Sequence, residues 1–270
     1  MKIINSLLGL LGLVSSLFAA PHNTIQWHKI YNVKELNDSY IPQGIEVYKD
    51  YVFFTIHAKE TKSVLIVFKK KEKNLEYLFE VDMPPEATHV SDLNVLGDTL
   101  YAIDYASTKI FEIDITQLIE KKKLQINNEF FLGMSRTGSL VIIEHENEKY
   151  VLIARFILSN KLYAFKLSEM KHGGDLDKEK IAFTITNHRF VQGLYAKDNI
   201  LLIATNNFGI DTIKVVDIPS MIKTKTVDNA SLSVFNAPFK MVEDITLYEG
   251  KILTSDEESF YIYESEVLIK

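Results

Sequence analysis

The chain is 270 residues long, 47% hydrophobic and 24% charged, with a formal net charge of −6 and no cysteine. That apolar fraction can bury a core, which excludes a disordered tail or a fibre. The deficit of basic residues argues against nucleic acid as the main partner, and the missing cysteine removes disulfide scaffolds, zinc knuckles, iron–sulfur clusters and thiol nucleophiles.

Residues 1–20 read as a signal peptide. Met1-Lys2 is followed by an uncharged run from Ile3 to Phe18 and then by Ala19-Ala20-Pro21. A basic start, an apolar stretch and small residues at the cleavage site form a leader. The apolar run is shorter than the roughly 20 residues that span a bilayer. The expectation is a secreted or periplasmic protein whose mature part, residues 21–270, is one domain with no membrane span.

After the leader comes an isolated strand pattern, Thr24 to Val33, and then one pattern five times over. In each copy a small or polar pair leads into an aliphatic residue, a short turn follows, and a dense apolar strand comes next. The leads are Gln43-Gly44-Ile45, Ser91-Asp92-Leu93, Gly138-Ser139-Leu140, Gln192-Gly193-Leu194 and Glu243-Asp244-Ile245. The aliphatic anchors are spaced by 48, 47, 54 and 51 residues. Strands are expected next at Val52 to Ile56, Leu100 to Ile103, Val151 to Ala154, Ile200 to Ala204 and Ile252 to Thr254. In the third copy a longer polar turn, Glu144 to Lys149, separates the two. A third strand follows in every copy and a fourth in the first four, while Ile115 to Lys123 and Pro219 to Lys223 read as short helical connectors.

Four short β-branched and aromatic strands per unit, at about fifty residues per repeat, are the signature of propeller blades. The class is therefore all-β, a five-bladed β-propeller, with six blades as the alternative. The last copy lacks its fourth strand, so the N-terminal strand is expected to pair with it and close the ring, which removes an exposed edge.

In a propeller, residues entering the first strand of each blade and residues leaving the second meet at one mouth. The entering set is Gln43, Ser91, Gly138, Gln192 and Glu243, with Asp92 and Asp244 beside them. The leaving set is His57, Asp104-Tyr105, Arg155, Thr205-Asn206 and Asp256. From these, His57, Asp104, Tyr105, Arg155, Gln192, Asn206 and Asp256 are the candidate ligand-binding residues, and His89 could face the channel. Asp92 and Asp244 have a plainer alternative as backbone acceptors at blade junctions, and Arg155 as the ion-pair partner of Asp104. If Glu243, Asp92, Asn206 and Asp256 converged, they would offer hard oxygen ligands suited to Ca2+. No nucleophile elbow, zinc-protease helix, phosphate loop or dinucleotide fingerprint is present.

The five units resemble the blades of NHL-repeat and gluconolactonase-type propellers. Ile41-Pro42-Gln43-Gly44-Ile45 and Phe190-Val191-Gln192-Gly193-Leu194 are similar to the Gln-Gly-Leu turn of glutaminyl cyclotransferases, which are exported five-bladed propellers. That family's acidic, tryptophan-containing stretch is missing, so its catalytic residues are not carried over. Similarity to metal-dependent lactonases would imply ligands at the mouth, matched here by Glu243, Asn206 and Asp256. The favoured expectation is an exported binding module that holds a small molecule or a protein partner at the mouth. The alternative is a calcium-dependent hydrolase or lactonase.

Overall fold

The computed structural model describes residues 23–58, 62–157, 159–170, 175–176, 178–207, 210–237 and 241–269. Residues 1–20, read from the sequence as a signal peptide, lie outside them. Two strands open the described chain, β1 (Asn23–Thr24) and β2 (Trp27–Asn32). Blade 1 then follows as β3 (Tyr40–Tyr48), β4 (Tyr51–Ala58), β5 (Lys62–Lys70) and β6 (Leu75–Asp82). Blade 2 holds β7 (Val90–Leu96), β8 (Thr99–Asp104), β9 (Lys109–Asp114) and β10 (Ile126–Leu132). Blade 3 begins with β11 (Thr137–His145), β12 (Glu148–Arg155) and β13 (Lys161–Lys166). The chain then lends β14 (Asp175–Leu176) to the outer edge of blade 2, parallel to β10, before β15 (Ile181–Thr186) completes blade 3. Blade 4 is β16 (Val191–Lys197), β17 (Ile200–Asn207), β18 (Ile210–Asp217) and β19 (Ser231–Asn236). Blade 5 is β20 (Val242–Tyr248), β21 (Lys251–Asp256) and β22 (Tyr261–Leu268).

Closure uses the N-terminus. β2 pairs antiparallel with β22, Trp27 opposite Ser265 and Asn32 opposite Tyr261, and so becomes the fourth strand of blade 5. The segment read as one strand is in fact two, because β1 pairs parallel with β19 and extends blade 4 instead. Five sheets leave no place for a sixth blade.

Packing explains why these strands read as nearly continuous apolar runs rather than alternating ones. Each sheet is covered on both faces by its neighbours, so β4 and β5 bury five and six residues in succession. The core divides into five clusters, one at each junction. Phe53, Leu65 and Val67 meet Leu93, Ala102 and Phe111 between blades 1 and 2. Ile45, Phe54 and Phe68 meet Leu253, Ile262 and Ile30 between blades 1 and 5. An open stack of five layers would have only four junctions, so the fifth cluster is what a ring requires.

The connectors repeat as well. Helix α1 (Ile115–Lys121) is capped by Asp114, which accepts from Gln117 N–H, and ends at Lys122 with φ of 51°. Helix α2 (Ile218–Thr224) is capped by Asp217 in the same manner, carries Pro219 in its first turn, and ends at Lys225 with φ of 57°. The first ends two residues earlier than the sequence reading, and the second runs one residue further at each end. The turn between β11 and β12 is tighter than expected: only Glu146 and Asn147 separate the strands, both at positive φ, the conformation of a two-residue hairpin turn.

Candidate functional site

One irregularity recurs in all five blades. Where the innermost strand meets the second, the register slips at Pro42/Ile45, Val90/Asp92, Thr137/Ser139, Val191/Gly193 and Val242/Ile245. A bulge gives one strand an extra residue and re-aims its side chain. The first residue inside each slip is Gln43, Ser91, Gly138, Gln192 or Glu243, and all five line a single cavity of about 240 Å³ at the mouth, with Gly44 and Asp244 also inside the first and last slips. The rest of its described wall is His57, His89, Tyr105, Phe156, Met241 and Glu257.

At two of the five bulges a glycine permits a close approach. A Cβ on Gly193 would lie 2.4 Å from Asp244 Oδ1 and 2.6 Å from Asp244 Cα, and one on Gly44 would lie 2.8 Å from Thr55 Oγ1. The Gln-Gly pair therefore combines a cavity-facing amide with a point where the neighbouring backbone leaves no room for a side chain.

Below the bulges, carboxylates tie the inner strands together. Asp244 Oδ2 accepts the Ile45 N–H at 2.8 Å, and Asp92 Oδ2 accepts the N–H groups of Leu140 and Leu194 at 3.2 and 3.3 Å. Glu46 accepts from Thr246 Oγ1 at 2.6 Å, and from Asn94 Nδ2 and the Val95 N–H at 3.3 Å each. Burial, ahead of all other causes, pushes the Glu46 carboxyl up to about 7 and holds Asp92 and Asp244 well above the usual carboxylate range.

Of the leaving set, the mouth receives His57 and Tyr105 but neither Arg155 nor Asp256. Thr137 pairs with Arg155 and Val242 with Asp256, as Val90 does with Asp104. In each of these blades the wall is built by the next residue: Tyr105, Phe156 and Glu257. A step of one residue along a strand turns a side chain to the other face. Arg155 instead donates from Nε to Ser135 O at 2.9 Å, and it does not pair with Asp104. Asp104 and Asp256 hold the turns that follow their strands. Asp104 accepts from His89 N–H at 2.6 Å and Ser107 N–H at 2.5 Å, and Asp256 accepts from Glu258 and Ser259 N–H. Asn206 reaches the site indirectly, its Nδ2 donating to the sulfur of Met241 at 2.9 Å. Phe156, Met241 and Glu257 escaped the sequence reading, although counting one residue beyond each second strand would have found Phe156 and Glu257.

The proposed calcium ligands do not fit a metal. Asp92 Oδ2 and both Asp256 oxygens already accept backbone N–H groups, and Asn206 is turned to Met241. Among the described residues no three His, Cys, Asp or Glu side chains are grouped as a metal site.

The mouth is electrostatically one-sided. Glu243 is 6% exposed, and its carboxyl is pushed well above the ordinary range by burial and then by the adjacent Glu257. No Lys or Arg is among the described wall residues. His57 and His89 stack at 5.1 Å between ring centroids, with Tyr105 5.4 Å from His89. His57 Nδ1 lies 2.7 Å from Thr88 O, so that nitrogen carries the proton. Burial, followed by the neighbouring His57, holds His89 below the usual imidazole range. A wider hollow of about 620 Å³ opens among the hairpin turns of blades 2 to 4, edged by Glu144, Glu146 and Asp198. It contains no buried polar atom lacking a partner.

No family model and no curated protein matches the sequence. Among solved structures, Myxococcus xanthus glutaminyl cyclase is similar with a TM-score of 0.62 at 10% identity, covering 92% of this chain and 100% of that one. A chain of a nidogen/laminin complex gives 0.47 at 9% identity over 81% of this chain and 73% of its own. Kuenenia stuttgartiensis hydrazine synthase gives 0.45 at 13% over 80% and 55%. The chain is thus a five-bladed β-propeller similar in fold to a glutaminyl cyclase, and at these identities the likeness concerns the fold alone.

Proposed function

We propose that this chain is an exported binding protein whose mature part, residues 21–270, holds a small molecule at the propeller mouth. Residues 1–20 act as the export signal and carry it to the periplasm or the medium. The observation behind the binding reading is the convergence of one bulged residue from each of the five blades on a single cavity. Concave sites with an apolar lining and a few aimed polar groups are where small ligands bind. Among the described residues no helix is long and apolar enough to cross a membrane.

Protein-observed NMR against a small-molecule library tests the binding reading. Hits should move the signals of His57, His89, Tyr105 and Phe156 together. A library whose hits all map elsewhere, or a protein partner seated across the mouth, overturns it. N-terminal sequencing of the protein recovered from fractionated bacterial cells tests export, and uncut cytoplasmic protein counts against it.

The pair Glu243 and Glu257 supports a second reading, catalysis of proton transfer on the bound molecule. One protonated and one ionised carboxyl can serve as acid and base. A pH–rate profile with one acidic and one basic limb, of which one disappears in Glu257→Gln, would establish it. The calcium-lactonase alternative finds no support in the arrangement of its ligands.

A further inference from the structure

Two acceptors in the mouth wall have no protein donor. Gln43 is 2% exposed and donates from Nε2 to Pro42 O at 2.6 Å, which fixes its amide orientation and leaves Oε1 unpartnered. Glu243 Oε1 is unpartnered as well. A buried acceptor without a donor is costly, so this pair selects a ligand rich in N–H. The surroundings narrow the choice. Glu257 supplies a second carboxyl, and the described wall has no cation to receive an anionic ligand. The stacked rings of His57 and His89, with Tyr105 and Phe156, offer π faces that attract positive charge.

Building on the mouth-pocket reading, we propose that the occupant is a small protonated amine. Its ammonium donates to Gln43 Oε1 and Glu243 Oε1, and its carbon body lies against the aromatic wall. An ammonium supplies three donors and one positive charge where two acceptors and a surplus carboxyl wait.

Benzylamine, benzyl alcohol and benzoate share one ring and differ only in the head group. Calorimetry on the full mature chain, with NMR mapping of each probe, should show benzylamine at the mouth at least about tenfold tighter than the other two. Glu243→Gln keeps the shape and removes the carboxyl that can ionise against an ammonium. It should cut benzylamine affinity about tenfold or more and leave benzyl alcohol within about twofold. An unchanged amide spectrum would show that the variant is folded. If the alcohol or the benzoate binds the mouth as tightly as the amine, the pocket stands and the amine assignment falls. The same holds if Glu243→Gln binds benzylamine like the wild type. If none of the three moves a mouth signal at tens of millimolar, the amine assignment is overturned, and the wider library decides the pocket separately.

Discussion

Lys70 Nζ lies 3.0 Å from Glu264 Oε2, with the two side chains 1% and 6% exposed. This ion pair joins β5 of blade 1 to β22 of blade 5 across the seam where the ring shuts. Both partners are further satisfied. Lys70 also donates to Lys71 O at 2.7 Å and sits over the Tyr248 ring, and Glu264 also accepts from Lys251 at 2.8 Å. Burial raises the Glu264 carboxyl, but the bonds to Lys251 and Lys70 outweigh it and hold it below the ordinary range.

Removing Glu264 leaves the buried Lys70 without a counter-ion, whereas removing Lys70 leaves Glu264 still paired with Lys251. Glu264→Leu should therefore cost about 3–5 kcal/mol and Lys70→Met less, while the double replacement should recover most of the larger loss. Urea unfolding of the three variants measures this. A double variant no better than the worse single one would mean that the pair contributes more than it costs to bury.

Stability should fall as pH rises from mildly acid to mildly alkaline. Burial holds Glu46 at about 7 and Asp211 at about 6, in each case against hydrogen bonds that lower it. A carboxyl raised in the folded state binds its proton more tightly there than when unfolded. Its contribution is complete below the unfolded value near 4.5 and is lost as pH passes the folded value. For Glu46 the span from 4.5 to about 7 corresponds to about 3 kcal/mol at most. Glu264 acts in the opposite sense, and its contribution disappears only as pH falls below the ordinary carboxylate range. Urea midpoints should thus decline from pH 5 to pH 8, and Glu46→Gln should flatten the decline. A wild-type midpoint that climbs over this range contradicts the buried-carboxyl account.

Two glycines on equivalent bulges should respond in opposite ways to alanine. At Gly193 the added carbon meets the Asp244 backbone at 2.6 Å, so Gly193→Ala should destabilise by about 3 kcal/mol. At Gly138 the nearest atom is 3.7 Å away and φ is not positive, so Gly138→Ala should be neutral or stabilising by up to about 1 kcal/mol. Thermal denaturation of both variants, side by side, gives the comparison. Equal losses would refute the close approach at Gly193.

The melting midpoint should not respond to millimolar calcium or to a chelator, because both Asp256 oxygens accept backbone N–H groups, Asn206 is turned to Met241, and among the described residues no three ligating side chains are grouped. A calcium-dependent rise of several degrees would revive the lactonase reading.

The ring was legible in the sequence because every blade passes the same constriction and so repeats the same few residues there. Gln43-Gly44 and Gln192-Gly193 announced both the bulge and the mouth. The second strand's end was harder to read. Polarity points to Arg155 and Asp256, whereas the wall is set by the count from the bulge, which selects Phe156 and Glu257. Neither Phe156 after an arginine nor Met241 after a lysine looks like a site residue on its own. The parallel pairings of β1 and β14 left no signal at all. Two residues joined through backbone groups alone impose no side-chain pattern.

The placement of β1 on blade 4 and β2 on blade 5 also governs when the protein can become whole. The earliest-made strands wait for partners that lie beyond all of blades 1 to 3, so a chain still emerging from the ribosome cannot shelter Ile25 and Ile30, which belong to the clusters on either side of blade 5. Assembly of so distant a pairing is slow, since much chain entropy must be given up before the contact rewards it. The ring can therefore shut only once blades 4 and 5 have been made.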